Sequence, residues 1–386
     1  MLLAAVMVLG AVPVRAMQPE TETASEPETI PPLETEIVSE PETQPALEPE
    51  PAPEPETQPA LETEIAPEPE TIPPLTLDIT DELPFSEVTR QDQKQTTVEN
   101  TGTIEPASGS CGENLTWTLT EDGTLTISGT GKMKDYGTMD TSGPSPFPRT
   151  ATKLVLQSGI TSIGQAAFDQ MTNLTGALVL PDTITSIGPA AFQACSGLSG
   201  SLVLPERITT IKIHAFYGCS GLTGKLVLPS GLTSIEKAAF YNCGFNGNLN
   251  IPSSVNEIGN YAFSGCSGFV GRLVIPPDLT AIGKCAFQTC SGFTGELNIP
   301  AGLTSIEDYT FSGCSGLTGE LIIPAGVTSI GRSAFQICSG FTGKLNLPAG
   351  VTSIGEFAFS GCNGFTGELV IPSGVTVAAG KCKLPD

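Results

Sequence analysis

Few residues in this chain are able to do chemistry, and one of them is unique. There is a single histidine, His214, alongside eleven cysteines and an excess of carboxylates. A nucleophile with a histidine base needs that one imidazole beside a uniquely placed Ser or Cys, and no such residue stands near it. His214 fills the second of two variable positions before Ala215-Phe216, where other copies of the same text carry Gln165-Ala166, Lys237-Ala238 or Arg332-Ser333. It is expected to face solvent. Glu296 and Glu320 fall in one column of adjacent copies. That regular, exposed placement is the opposite of the buried acid with a raised pKa that glycoside cleavage requires. Neither a Gly-x-x-x-x-Gly-Lys-Ser/Thr loop nor a dinucleotide glycine fingerprint occurs.

Eight cysteines (Cys195, Cys219, Cys243, Cys266, Cys290, Cys314, Cys338 and Cys362) share one repeat position, which Met171 fills in the first copy. Methionine can replace a small buried hydrophobe, but neither a disulfide partner nor a zinc thiolate, so the column reads as buried thiols. Rungs about 5 Å apart lie within Cα range of a bridge, which leaves a few disulfides open. Zinc is not expected, because no Cys-x-x-Cys is present. Cys111, Cys285 and Cys382 fall off the column, and Cys285 is near enough to Cys290 for a local bridge. No catalytic residue, cofactor or metal site follows from these patterns, and the chain reads as non-enzymatic.

The elements that carry these residues repeat. Phe recurs at 168, 192, 216, 240, 263, 287, 311, 335 and 359, at intervals of 24 with one of 23 near Cys243. Pro follows each Phe by thirteen residues, or twelve in the short copy, from Pro181 to Pro372. The unit reads I-G-x-x-A-F-x-x-C-S-G-[LF]-T-G-x-L-x-[IL]-P-x-x-[VL]-T-S. Nine copies at a fixed period predict a solenoid over residues 151–377. In each copy L-x-[IL], as in Leu226 and Leu228, is a short strand with both apolar side chains inward. Pro229 ends it, lacking an N–H for a ladder. Ile235, Ala239 and Phe240 come from the opposite wall, expected to be a helical turn, and stacked strands form a parallel sheet.

Upstream, Leu115, Trp117 and Leu119 alternate with threonines, Glu121-Asp122-Gly123 turns, and Leu125 and Ile127 alternate again. This predicts a β-hairpin with one apolar face, the N-terminal cap of the solenoid, within 108–150. Residues 17–107 are an acidic Pro/Glu/Thr-rich stalk and linker. Between 17 and 88 there are 18 Glu, 2 Asp and no Lys or Arg, whereas 151–386 carries 11 basic and 13 acidic residues. Most of the net charge of −24 therefore belongs to the stalk, whose composition predicts disorder. Residues 1–16 read as a secretory signal peptide: Leu2–Val14 is apolar, and Val14-Arg15-Ala16 offers a cleavage site. That run is shorter than the roughly 20 residues of a membrane span, and no transmembrane segment is expected in the mature chain. Residues 378–386 are a tail. With no clustered basic surface, nucleic acid is not an expected partner.

The cap text SGSCGENLTWTLTEDGTLTISGTGKM (108–133) and the unit IxxxAFxxCSGLTGxLxIPxxVTSIG resemble the BspA-like leucine-rich repeat proteins of bacterial and some protist surfaces. The resemblance covers about residues 108–377. It implies a leucine-rich-repeat-like, right-handed β/α superhelix with its parallel sheet on the concave side. It also implies extracellular adhesion, through binding of host proteins, other cells or surface polymers.

If L-x-[IL] points inward, the residue between points out. That row reads Val179, Val203, Val227, Asn250, Val274, Asn298, Ile322, Asn346 and Val370. Beside it runs a column containing Lys225, Arg272, Glu296 and Glu320, which turns from basic or neutral to mostly acidic after Arg272. Valine there also suits β-structure, but an exposed apolar stripe rimmed by charge is what interaction surfaces look like. The expected function is a secreted or surface-displayed binding protein, a monomer, that recognises an extracellular protein or glycan. A structural or antigenic display protein without a specific ligand, and a fragment of a larger secreted enzyme, are the alternatives.

Overall fold

A computed structural model gives the structure of the protein and describes residues 103–137, 143–366 and 370–377. Every described residue belongs to one compact unit, Gln95–Asp386. The expected signal peptide, the stalk up to residue 102, Cys382 and the tail lie outside the described residues.

The repeats form a β-solenoid in which each rung bonds to the next through backbone groups on several walls. One ladder follows the Thr-Ser-Ile text: Thr210–Ile211, Ser234–Ile235, Glu257–Ile258 and Ala281–Ile282 pair in parallel, as do Ser305–Ile306, Ser329–Ile330 and Ser353–Ile354. A second ladder follows L-x-[IL], with Leu202↔Leu226 and Val203↔Val227 in register and bridges Asn250↔Val274 and Asn298↔Ile322 further along. Their isoleucines and leucines are buried. Parallel pairing sets neighbouring rungs about 4.8 Å apart.

The wall expected to be helical is not. Among the described residues there is no helix. Instead, backbone donors alternate. Ala190, Phe192 and Ala194 donate to Ile213, Ala215 and Tyr217 of the next rung, while Ala191, Gln193 and Cys195 close tight turns onto Gly188, Ala190 and Phe192. The same alternation recurs rung after rung, with Phe216, Phe240, Phe263, Phe287, Phe311 and Phe335 each donating across at 2.8–2.9 Å. An α-helix would spend all these donors within itself, and helices pack 8–10 Å apart. That is about twice the rung spacing, so one helix per rung cannot follow a ladder on the facing wall without fanning. Stacked turns keep the spacing equal on every wall.

Those turns need left-handed backbone at two positions per rung, two residues before and two after each Phe. The first is held throughout by non-glycine residues, from Ala166 (φ 48°) to Phe357 (φ 58°). The second is glycine at 218, 265, 313 and 361, but Thr289 (φ 57°) and Ile337 (φ 59°) on other rungs. A β-branched residue there is strained. The surrounding ladder holds it in place.

Inside, the Phe rings stack without a break from Phe168 to Phe359 with centroids 5.1–5.8 Å apart. At the N-terminal end Phe147 continues the stack at 4.9 Å and meets Trp117 edge-on. Trp117 lies in β2 (Leu115–Leu119), between β1 (Ala107–Ser110) and β3 (Thr124–Gly129), antiparallel to both. After the short β4 (Gly131–Lys132), β5 (Lys153–Leu156) pairs in parallel with β3, which joins this sheet to the first rung.

Candidate functional site

The alternation that buries Leu202 and Leu226 turns Val203 and Val227 outward. Every residue of the row from Val179 to Val370 is exposed, the large ones strongly so: Val179 71%, Val203 56%, Val274 57%, Ile322 65%. Val227 is the most covered of the valines at 43%. Hydrogen-bond register aligns them, Val203 beside Val227, Asn250 beside Val274, and Ile322 between Asn298 and Asn346.

One member escapes a reading anchored on the Phe period. Val155, between Leu154 and Leu156, sits 24 residues before Val179, is exposed, and pairs with Thr126 of β3. The signal was present in the text Lys153-Leu154-Val155-Leu156, but no repeat Phe precedes it. The row therefore begins on the N-terminal sheet.

The flanking column is likewise exposed at Lys225, Arg272, Glu296 and Glu320. Arg272 reaches Glu296 on the next rung at 3.5 Å, and the Asn346 amide donates to Glu320 at 3.4 Å. On the other side of the row stand Ser230, Ala301 and Ala325, all exposed. The site is an apolar-and-amide strip with one charged border, and on the other side small residues along most of its length with Asp182 and Glu206 on the first rungs. Its valine, isoleucine and asparagine side chains carry no acid or base; what they offer is area for a complementary surface to cover.

The chemically able residues are occupied elsewhere. Each thiol of the column donates to the Phe carbonyl of the preceding rung at 3.0–3.1 Å, from Cys195 on Phe168 to Cys362 on Phe335. Burial pushes Cys219, Cys266 and Cys314 up to about 12 and raises Cys195, Cys243, Cys290 and Cys338 in the same direction. A thiolate would lose both the hydrogen bond and its solvation. None of the ten described cysteines forms a disulfide, so no local bridge joins Cys285 to Cys290.

His214 is buried, contrary to the solvent-facing expectation. The left-handed turn (φ 56°) carries His214 inward and leaves Ile213 before it half-buried. The ring meets Tyr217 edge-on at 5.4 Å, and its Nε2 has no hydrogen-bond partner. Burial, helped by Lys237, lowers its pKa to about 4. It is a neutral packing residue and not a base beside a nucleophile.

An open depression on the Thr-Ser-Ile wall is lined by Glu236, Lys237, Glu257, Lys284 and Glu307 among others. Two of its three carboxylates are engaged: Glu236 with the Lys212 ammonium at 2.9 Å and the Ile213 amide at 3.0 Å, and Glu307 with the Ser305 hydroxyl at 2.7 Å. Among the described residues no cluster of three or more His, Cys, Asp or Glu is arranged to hold a metal ion, and no helix is long and apolar enough to cross a membrane.

Residues 148–270, 198–318 and 269–382 match the family model described as BspA type leucine rich repeat region (6 copies), which together span more than half of the chain. Among solved structures the chain is similar to a leucine-rich repeat protein from Eubacterium ventriosum, with 22% identity over 73% of this chain and 97% of that one and a TM-score of 0.37. It is similar also to a leucine rich cell surface protein from Faecalibacterium prausnitzii (20% identity, 69% and 96%, TM-score 0.32). A third is the pneumococcal vaccine antigen PcpA (17%, 69% and 81%, TM-score 0.35). No curated protein matches.

Proposed function

We propose that this chain, which belongs to the BspA-type leucine-rich repeat family, is an exported binding protein whose outward row contacts an extracellular protein or glycan. One observation carries the reading. Folding leaves a continuous line of valine, isoleucine and asparagine side chains uncovered along a register-locked ladder, although the same chain buries almost every other large aliphatic side chain of its repeats. A row that the described residues leave exposed is available to a partner. The rest of the chain fits this role: a signal segment over 1–16, an acidic spacer over 17–107, the N-terminal sheet as a cap closing the first rung, and the solenoid as the display surface.

Arrays of glycans and matrix proteins test it. The full chain is expected to show saturable binding that Val203→Asp or Val227→Asp abolishes. Blank arrays, or binding indifferent to both changes, would show that the row contacts nothing and favour a display protein without a ligand.

A further inference from the structure

We propose that the partner of the exposed row is a second copy of this chain, docked face to face and antiparallel about Val274. This builds on the reading of the row as the contact face and departs from the monomer expected from sequence. Two identical sheets packed face to face can be related by a two-fold axis that lies in the interface perpendicular to the stacking direction, which reverses the order of rungs. A row that pairs with itself about such an axis must match its own reversal. About Val274 it does: one rung away on either side stand Asn250 and Asn298, two rungs away Val227 and Ile322, four rungs away Val179 and Val370. The third rung, Val203 against Asn346, breaks the match. Apolar side chains thus meet apolar ones, and the two amides meet across a sheet-to-sheet gap of about 10 Å, where each supplies the donor and acceptor the other needs.

The charged border agrees. In the antiparallel arrangement this column faces itself reversed, so Lys225, two rungs before the axis, lies opposite Glu320, two rungs after it. Asn248 lies opposite Glu296. Arg272 falls on the axis, and Glu296 at 3.5 Å in its own chain neutralises it. With the axis along the solenoid instead, rung order is kept and Lys225, Glu296 and Glu320 face Ser230, Ala301 and Ala325 of the other border, which supply no opposite charge at those rungs. The nine rungs from Val179 to Val370 span about 40 Å. At a width of roughly 15 Å they offer about 600 Å² per copy, the low end of a specific interface. Such a pair is weak in dilute solution and forms where copies are crowded or are displayed on opposing surfaces, which suits adhesion by self-recognition.

Sedimentation velocity of the full chain tests the proposal, over about 1 to 200 µM at physiological salt. Mass is expected to rise from monomer to dimer with concentration. Lys225→Glu and Glu320→Lys should each weaken association by about tenfold or more, because each sets like charges together twice in the dimer. The double variant Lys225→Glu/Glu320→Lys should restore it. Both sites are exposed border positions, and equal thermal midpoints will verify that the three variants fold. A mass that stays monomeric throughout, or a dimer that neither single change weakens, overturns the proposal. A monomer that still captures an array protein and loses it on Val227→Asp would sink self-pairing while keeping the row as the contact face; a monomer with blank arrays would sink both.

Discussion

The turn wall and the outward row share one period, one spacing and one set of rungs, yet they differ in what repetition achieves. On the turn wall the repeated residues Phe, Cys and Ala are fully buried, and each thiol caps a carbonyl of the rung before. Repetition there is required, because one misfit ring interrupts a stack shared by every neighbour. Along the row the same regularity leaves the apolar side chains exposed. The lesson is that in a solenoid strict periodicity alone does not separate structural columns from contact columns; coverage by the chain itself does.

The comparison can be broken most forcefully at the stack. Phe263→Ala removes a fully buried ring that contacts Phe240, Phe269 and Phe287. It is expected to cost about 3–5 kcal/mol, read by equilibrium denaturation. A next, smaller effect tests the inward position of His214. Its folded pKa near 4 lies below the ordinary 6.5, so the unfolded chain binds the extra proton first. Stability from this group is present above about pH 6.5 and is lost as pH falls toward 4. Replacing it by Ala, the residue at this position on the rungs either side, should remove on the order of 2 kcal/mol of that acid-dependent loss. An unchanged difference between pH 7 and pH 4.5 would place the imidazole in solvent. Smaller still, Ile337→Gly should stabilise by up to about 1 kcal/mol by releasing a β-branched residue from left-handed backbone, partly offset by the entropy of the unfolded glycine. A loss of stability would show that its side chain matters more than its strain.

Much of this was legible in the residues. The Phe, Cys and Pro columns fix the period, Met171 in the cysteine column shows that no bridge or metal is needed, and the L-x-[IL] alternation places Val203 and Val227 outside. The turn wall was not legible. Ala-Ala-Phe text favours a helix by propensity, and the left-handed position before each Phe carries Ala, His, Tyr, Cys, Ser or Phe, with no glycine to announce it. Only Gly218, Gly265, Gly313 and Gly361, two residues after Phe, hinted at the turn. His214 was misplaced for the same reason, since solvent and core exchange sides at that turn. Val155 was missed because its rung borrows Phe147 from an irregular segment.

The central claim is that the row is surplus to folding. Its most direct test is the unfolding free energy of a chain carrying Val203→Thr, Val227→Thr and Val274→Thr together. Threonine keeps the β-branched shape and strand preference while replacing apolar surface by a hydroxyl. Exposed positions predict a total change within about 0.5 kcal/mol of the parent, with an unaltered denaturant slope. A loss of about 1 kcal/mol or more at each site would mean that the valines are packed by the protein itself, and the row would then belong with the Phe stack.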